Sequence, residues 1–149
     1  MKCEIKTFDN VEHRDKVISL WEAVFGYEAD HNAPHLVIDK KLDIGDGLFF
    51  IAADSKDVIG TVMAGYDGHR GWIYAIAVSS AHRKQGLGPA LLTFAEEKLS
   101  EKGCMKINLQ IMEGNEAVAE FYLSNGYHAE KRISMGKRLP QNIKTTEGD

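Results

Sequence analysis

Arg83-Lys84-Gln85-Gly86-Leu87-Gly88-Pro89-Ala90-Leu91-Leu92 follows an apolar run that ends at Val78, and opens a stretch in which Leu91, Leu92, Ala95 and Leu99 recur at helical spacing. The segment therefore reads as a loop joining a strand to an amphipathic helix. Glycines let the backbone turn tightly and come close to a ligand. Consecutive amide N–H groups then converge beside the positive end of the helix dipole, where a pyrophosphate fits. Arg83 and Lys84 add charge, and Pro89 suits a first helical turn because its missing N–H is no loss there. On spacing alone two readings stay open: a tight turn with solvated basic side chains, or a phosphate cradle. The Gly-Lys-Ser/Thr of a nucleotide P-loop is missing, and so is the third glycine of a dinucleotide fingerprint.

Upstream, residues 3–8 alternate and predict a first strand. Asn10 offers an N-cap to a helix with Val17, Leu20, Trp21, Val24 and Phe25 on one apolar stripe, ending at Gly26. The stripe assigns Trp21 and Phe25 to the core. A second helix is expected from Pro34 to about Leu42. Leu48–Ala53 and Val58–Tyr66 read as strands around a Ser55-Lys56-Asp57 turn. Asp67-Gly68 starts another turn, and Trp72–Val78 is the strand that feeds the glycine loop. The helix after that loop is expected from Pro89 to Lys102. A strand over Lys106–Met112, a helix over Asn115–Ser124 and paired strands within Tyr127–Leu139 follow. Three consecutive strands suggest a meander, and the later alternation suggests a parallel crossover. The expected class is α/β (α+β), with a mixed, mainly antiparallel sheet and helices on both faces.

A second motif stands downstream. Asn115 can cap a helix on which Val118, Phe121 and Tyr122 share a face, and Gly126 can end it. By itself this describes a capped amphipathic helix with a core tyrosine. Taken with the first loop, it resembles the GNAT superfamily of N-acetyltransferases. That family's loop reads Arg/Gln-x-x-Gly-x-Gly/Ala, matched by Arg83, Gly86 and Gly88. Its C-terminal motif is matched by Asn115, Tyr122, Gly126 and Tyr127, and Ile76-Ala77-Val78 resembles the strand before the loop. The stretch Gly60–Gly71 further resembles a bacterial, YpeA-type subgroup. The resemblance runs to about Leu139, which implies one GNAT domain over 1–139 and a polar tail over 140–149.

The resemblance implies acetyl-CoA as donor and an amine as acceptor. The backbone of Ile76, Ala77 and Val78 would bond the pantetheine arm, and one of those N–H groups would polarise the thioester carbonyl. The amides of Lys84, Gln85, Gly86, Leu87 and Gly88 would hold the pyrophosphate, while Pro89 has no N–H to give. Asn115 would contact the pantetheine, and Tyr122 would stand near the sulfur as general acid. Direct transfer in a ternary complex needs no covalent enzyme intermediate, so neither Cys3 nor Cys104 is required. Some family members carry a glutamate where this chain has Trp72, and no Asp or Glu occurs between Gly71 and Ala81. A water-mediated base, Asp67, His69 or Glu113 would have to serve. Asp67-Gly68 also reads simply as a hairpin turn, with His69 solvated. Tyr66, Asp67, His69, Trp72 and Tyr74 are the expected acceptor-side residues.

The rest of the sequence bounds these readings. The chain has 149 residues, 44% hydrophobic and 27% charged, with net charge −4. That balance argues against generic nucleic-acid binding, which needs a basic face. Cys3 and Cys104 form no framework of disulfides, so a reducing cytoplasm is expected. The charged start from Met1 to Asn10 does not read as a signal peptide, and no run approaches the ~20 apolar residues of a membrane span. His31 and His35, near Asp30 and Asp39, superficially resemble metal ligands. Pro34 sits between them and a third ligand is lacking, so no metal is expected. The family also allows a homodimer. Two further functions stay open: a non-catalytic acyl-CoA-binding module, and a phosphate-binding structural domain.

Overall fold

A computed structural model describes residues 3–26, 33–55 and 57–141. Lys56, Asp30, His31 and the tail from 142 onward lie outside them. Residue contacts divide the chain into two compact units, Met1–Glu113 and Gly114–Asp149.

In the first unit five strands form one sheet in chain order: β1 (Glu4–Thr7), β2 (Phe49–Asp54), β3 (Asp57–Tyr66), β4 (Gly71–Val78) and β5 (Ile107–Asn108). β1 to β4 pair antiparallel, and β5 joins β4 in parallel. Helices α1 (Asn10–Phe25) and α2 (Pro34–Ile44) cover one face. Their core includes Phe8, Val17, Leu20, Trp21, Ile38, Phe49, Ile51 and Met63. Helix α3 (Leu87–Glu101) covers the other, burying Leu87, Leu91, Leu92, Ala95 and Leu99. Each buried leucine contributes about 2 kcal/mol. The mixed sheet with helices on both faces is the architecture the sequence pattern predicts.

The cap of α1 is Asp9, whose carboxylate accepts from Glu12 N at 2.7 Å; Asn10, expected in that role, is the first helical residue. Phe25 corrects the stripe reading. It is the terminal residue of α1 and 49% exposed, whereas Trp21, one turn earlier, is 4% exposed. Arg14 links the two helices through Asp39 at 2.7 Å and the His35 carbonyl at 3.2 Å.

The β3–β4 register shifts between Thr61 and Met63: Thr61 pairs with Ala77 and Met63 with Tyr74. The extra residue in β4 is a bulge, and Ala75 sits there in the left-handed region at φ 53°. A bulge bends its strand, and parallel pairing of β5 ends at Trp72, short of it. Hence β5 is two residues long, not the Lys106–Met112 run expected. Helix α3 also starts at Leu87 rather than Pro89, because Gly86 takes the left-handed conformation at φ 81° and turns the chain two residues earlier.

In the second unit α4 (Glu116–Ser124) is capped by Asn115, whose side chain accepts from Val118 N at 3.4 Å. Gly126 leaves the helix at φ 93°. The paired strands expected within Tyr127–Leu139 do not form among the described residues. Ile133 and Met135 alternate as a strand would, but both are exposed, so no ladder or core rewards the pairing.

Candidate functional site

Beyond Trp72, one edge of strand β4 borders no strand among the described residues. Gly60 pairs with Val78 and Thr61 with Ala77 on the β3 side. On the other side, β5 reaches only Gly71 and Trp72. Among the described residues, Ile76, Ala77 and Val78 therefore border no strand on that side. An extended polar arm can add to such an edge through main-chain hydrogen bonds. Arg83 Nε donates to Val78 O at 3.3 Å, so the expected phosphate-gripping side chain lies folded against the strand end.

After β4 the chain makes a short 3-10 turn, Ser80–His82. Arg83 is extended, Lys84 is left-handed at φ 61° and Gly86 at φ 81°. Left-handed residues set into such a turn make successive N–H groups converge. No side chain caps α3, so the N–H groups of Leu87 and Gly88 have no intrahelical acceptor, and Pro89 has none to offer. Residues 83–86 are exposed. The start of α3 is pressed on the sheet at Gly60, where a Cβ would meet Leu91 Cδ1 at 2.8 Å and Leu87 Cδ2 at 3.2 Å. His82 Nε2 lies 3.6 Å from Asp54 Oδ2, bringing the turn to the end of β2.

The expected acceptor-side residues divide between the two faces of the sheet. Side chains alternate along β3, so Gly60 and Tyr66 look toward α3 while Thr61, Met63 and Gly65 look toward α1 and α2. The Tyr66 hydroxyl accordingly lies 3.4 Å from Gly103 O, just past α3. Gly65 pairs with Trp72 and approaches the Tyr74 hydroxyl, which brings Trp72 and Tyr74 together on the opposite face. Tyr74 is 42% exposed, and Lys41 Nζ sits 5.4 Å from its ring centroid. The buried Lys41 ammonium also bonds Asp46 at 2.9 Å and the Ala64 carbonyl, so it is structurally committed.

Asp67 is equally committed. Its Oδ1 accepts from the N–H groups of Arg70 and His69, each at 2.8 Å, and its Oδ2 from the Trp72 indole at 3.3 Å. These donors hold its pKa at about 2, the Arg70 amide first. A carboxylate so acidic is a poor general base near neutrality. His69 is exposed, with Nδ1 3.2 Å from Arg70 Nη1, and Glu113 is exposed in the turn that ends the first unit.

In the second unit Tyr122 is 5% exposed and packs edge-on against Phe121 and Tyr127. Burial pushes its phenol up to about 12. Asn115 is exposed, its side-chain oxygen engaged in the α4 cap. The sequence reading missed the bulge at Ala75; the one signal for it was a polar residue, Thr61, inside an apolar strand. Among the described residues no cluster of three His, Cys, Asp or Glu could hold a metal. Asp39 is paired with Arg14, and no described helix is long and apolar enough to cross a membrane.

Residues 14–127 match the model of the Acetyltransferase (GNAT) family. Solved structures share the fold. AAC(6')-Iy in complex with a bisubstrate analogue, CoA-S-monomethyl-acetylneamine, superposes with TM-score 0.74 at 15% identity, covering 94% of this chain and 100% of that one. PaiA N-acetyltransferase from Thermoplasma acidophilum in complex with coenzyme A gives 0.75 at 17%, covering 89% and 94%. A chain of the NatC complex bound to Gag peptide and CoA gives 0.74 at 26%, covering 89% of each.

Proposed function

The chain belongs to the GNAT family of acetyltransferases, and from that premise we propose that it transfers the acetyl group of acetyl-CoA to an amine by direct attack in a ternary complex. The observation that carries the reading is the continuity of a free β4 edge at Ile76–Val78 with the uncapped, glycine-led start of α3. The edge suits a pantetheine arm and the loop suits a pyrophosphate. The neighbouring structures described with CoA or a CoA analogue support this use of the fold.

The amine nitrogen attacks the thioester carbonyl, forming the C–N bond, and a β4 N–H steadies the oxyanion. Collapse breaks the C–S bond and releases thiolate. Tyr122, protonated far above neutrality, is the proposed proton donor to that sulfur. Moving a proton from a phenol near 12 to a thiol-like group at ~8.5 is uphill by about 5 kcal/mol. Transfer is therefore completed only as the cationic nitrogen of the tetrahedral adduct gives up its proton to the Tyr122 phenolate that protonating the sulfur leaves behind. The acceptor amine loses its first proton to water, His69 or Glu113, since Asp67 is too acidic to take it.

The proposal extends to a single domain over 1–139, a cytoplasmic location and the YpeA-type bacterial subgroup. The family match, which spans both compact units, supports the first. The cysteine usage and the Gly60–Gly71 stretch support the others. A second reading, a non-catalytic acyl-CoA-binding module, draws on the lack of a carboxylate along β4.

Thermal shift with acetyl-CoA, CoA and ATP tests the donor. A ligand at 100-fold over its Kd stabilises by about 2.7 kcal/mol, expected for both CoA species and not for ATP. No shift with either CoA species would overturn both readings. Thiol release across a panel of polyamine, aminoglycoside and peptide amines then separates enzyme from binding module.

A further inference from the structure

Among the hydrogen bonds of the core, one chain of three groups has a direction. The Trp21 indole Nε1 on α1 donates to Thr61 Oγ1 on β3 at 2.9 Å. The same hydroxyl donates to Ala75 O on β4 at 2.9 Å. Trp21 is 4% exposed and Thr61 fully buried. The hydroxyl has one proton and two lone pairs, so accepting from the indole leaves its proton free for the Ala75 carbonyl. That carbonyl belongs to the bulge, where Ala75 and Ile76 fall outside the β3–β4 pairing.

A non-glycine residue in the left-handed region is strained, and stays there only when its surroundings hold it. The Thr61 hydroxyl reaches this carbonyl from within an apolar setting: Ala75 packs against a buried cluster that includes Val58, Met63 and Ala77. We propose that Thr61, oriented by Trp21, is a positioning residue that locks the β4 bulge and so aims the Ile76–Val78 edge at the acyl-CoA arm. This rests on the acetyl-CoA reading above. The clasp acts from behind the strand, on the core side, and touches no ligand.

The prediction is a selective loss. Thr61→Val keeps the shape and removes both hydrogen bonds; Thr61→Ser keeps the hydroxyl. Calorimetry would use acetyl-CoA, CoA and 3′-phospho-ADP, the last being the CoA fragment with pyrophosphate and no pantetheine arm. Thr61→Val should bind both CoA species roughly tenfold more weakly and 3′-phospho-ADP as well as the parent chain does. Thr61→Ser should return CoA binding to within about threefold of the parent. Equal weakening of all three ligands, or none, would overturn the proposal, since a purely structural residue has no reason to distinguish the arm from the phosphates. Should Thr61→Val not fold, Trp21→Phe decides: it removes the upstream donor, and unchanged CoA binding in that variant contradicts the clasp. A parent chain that binds neither CoA species refutes the acetyl-CoA reading itself, a distinct result.

Discussion

Gly60 on β3 and Leu91 on α3 approach so closely that a Cβ on the glycine would lie 2.8 Å from Leu91 Cδ1. The same Cβ would lie 3.2 Å from the backbone oxygen of Ala77 and from Leu87 Cδ2. Leu87 is the first residue of α3 and follows Gly86 directly, so this contact fixes where the helix N-terminus meets the sheet. Gly60→Ala should cost roughly 1–3 kcal/mol by overpacking. In thermal melts that is a loss of roughly 2–4 °C per kcal/mol for a chain of this size. Acetyl-CoA affinity should fall with it, because the displaced atoms carry the loop proposed to hold the pyrophosphate. An unchanged melting temperature would show that the leucines simply give way.

Tyr122→Phe removes the proposed proton donor while keeping a ring between Phe121 and Tyr127. With an active amine in hand, kcat should fall by ~10²–10⁴-fold while the Kd for acetyl-CoA stays nearly constant. The pH profile is a second check. With the folded pKa raised to about 12, the phenol is protonated throughout the working range. Tyr122 therefore produces no alkaline decline in kcat below about pH 11. The sign for stability follows. The stabilising preference for neutral phenol is complete below the unfolded value near 10 and is lost as pH rises toward 12. Turnover untouched by Tyr122→Phe would remove its acid role.

Asp67→Ala should loosen the β3–β4 hairpin by orphaning the amides of His69 and Arg70 and the Trp72 indole. Because its folded pKa is depressed to about 2, its contribution is present above the ordinary 3.8 and disappears as pH falls from there toward 2. The variant should melt at lower temperature at pH 7 and differ less from the parent at pH 2. Its pH–rate profile between pH 6 and 9 should match the parent's. A new acid limb in that range would make Asp67 the base after all.

The elements most legible in the sequence were those with a strong period and clear stops. The α3 stripe of Leu91, Leu92, Ala95 and Leu99 and the two apolar β-runs around residue 55 lie where their spacing puts them. Boundaries were harder. Asp9 and Asn10 both cap helices well, and Asp9 wins because its carboxylate reaches Glu12 N. Pro89 suggested a helix start, yet it sits in the third position of the first turn, where a missing N–H is equally harmless. The bulge carried almost no signal. Alanine has no preference for the left-handed region, so Ala75 is held there by partners that lie 14 residues away at Thr61 and beyond it at Trp21. The acceptor-side residues mixed two faces because Tyr66 and Trp72 lie on adjacent strands across a hairpin, and only register separates them.

The most direct test is calorimetric titration of acetyl-CoA into the parent chain and Gly86→Val. Gly86 adopts φ 81° at the start of α3, where a β-branched residue is strained by roughly 1–2 kcal/mol and turns its N–H groups away from a phosphate. The parent should bind one acetyl-CoA per chain, and Gly86→Val should bind at least about tenfold more weakly while remaining folded. Equal affinity in the two proteins would contradict the loop as the acyl-CoA site.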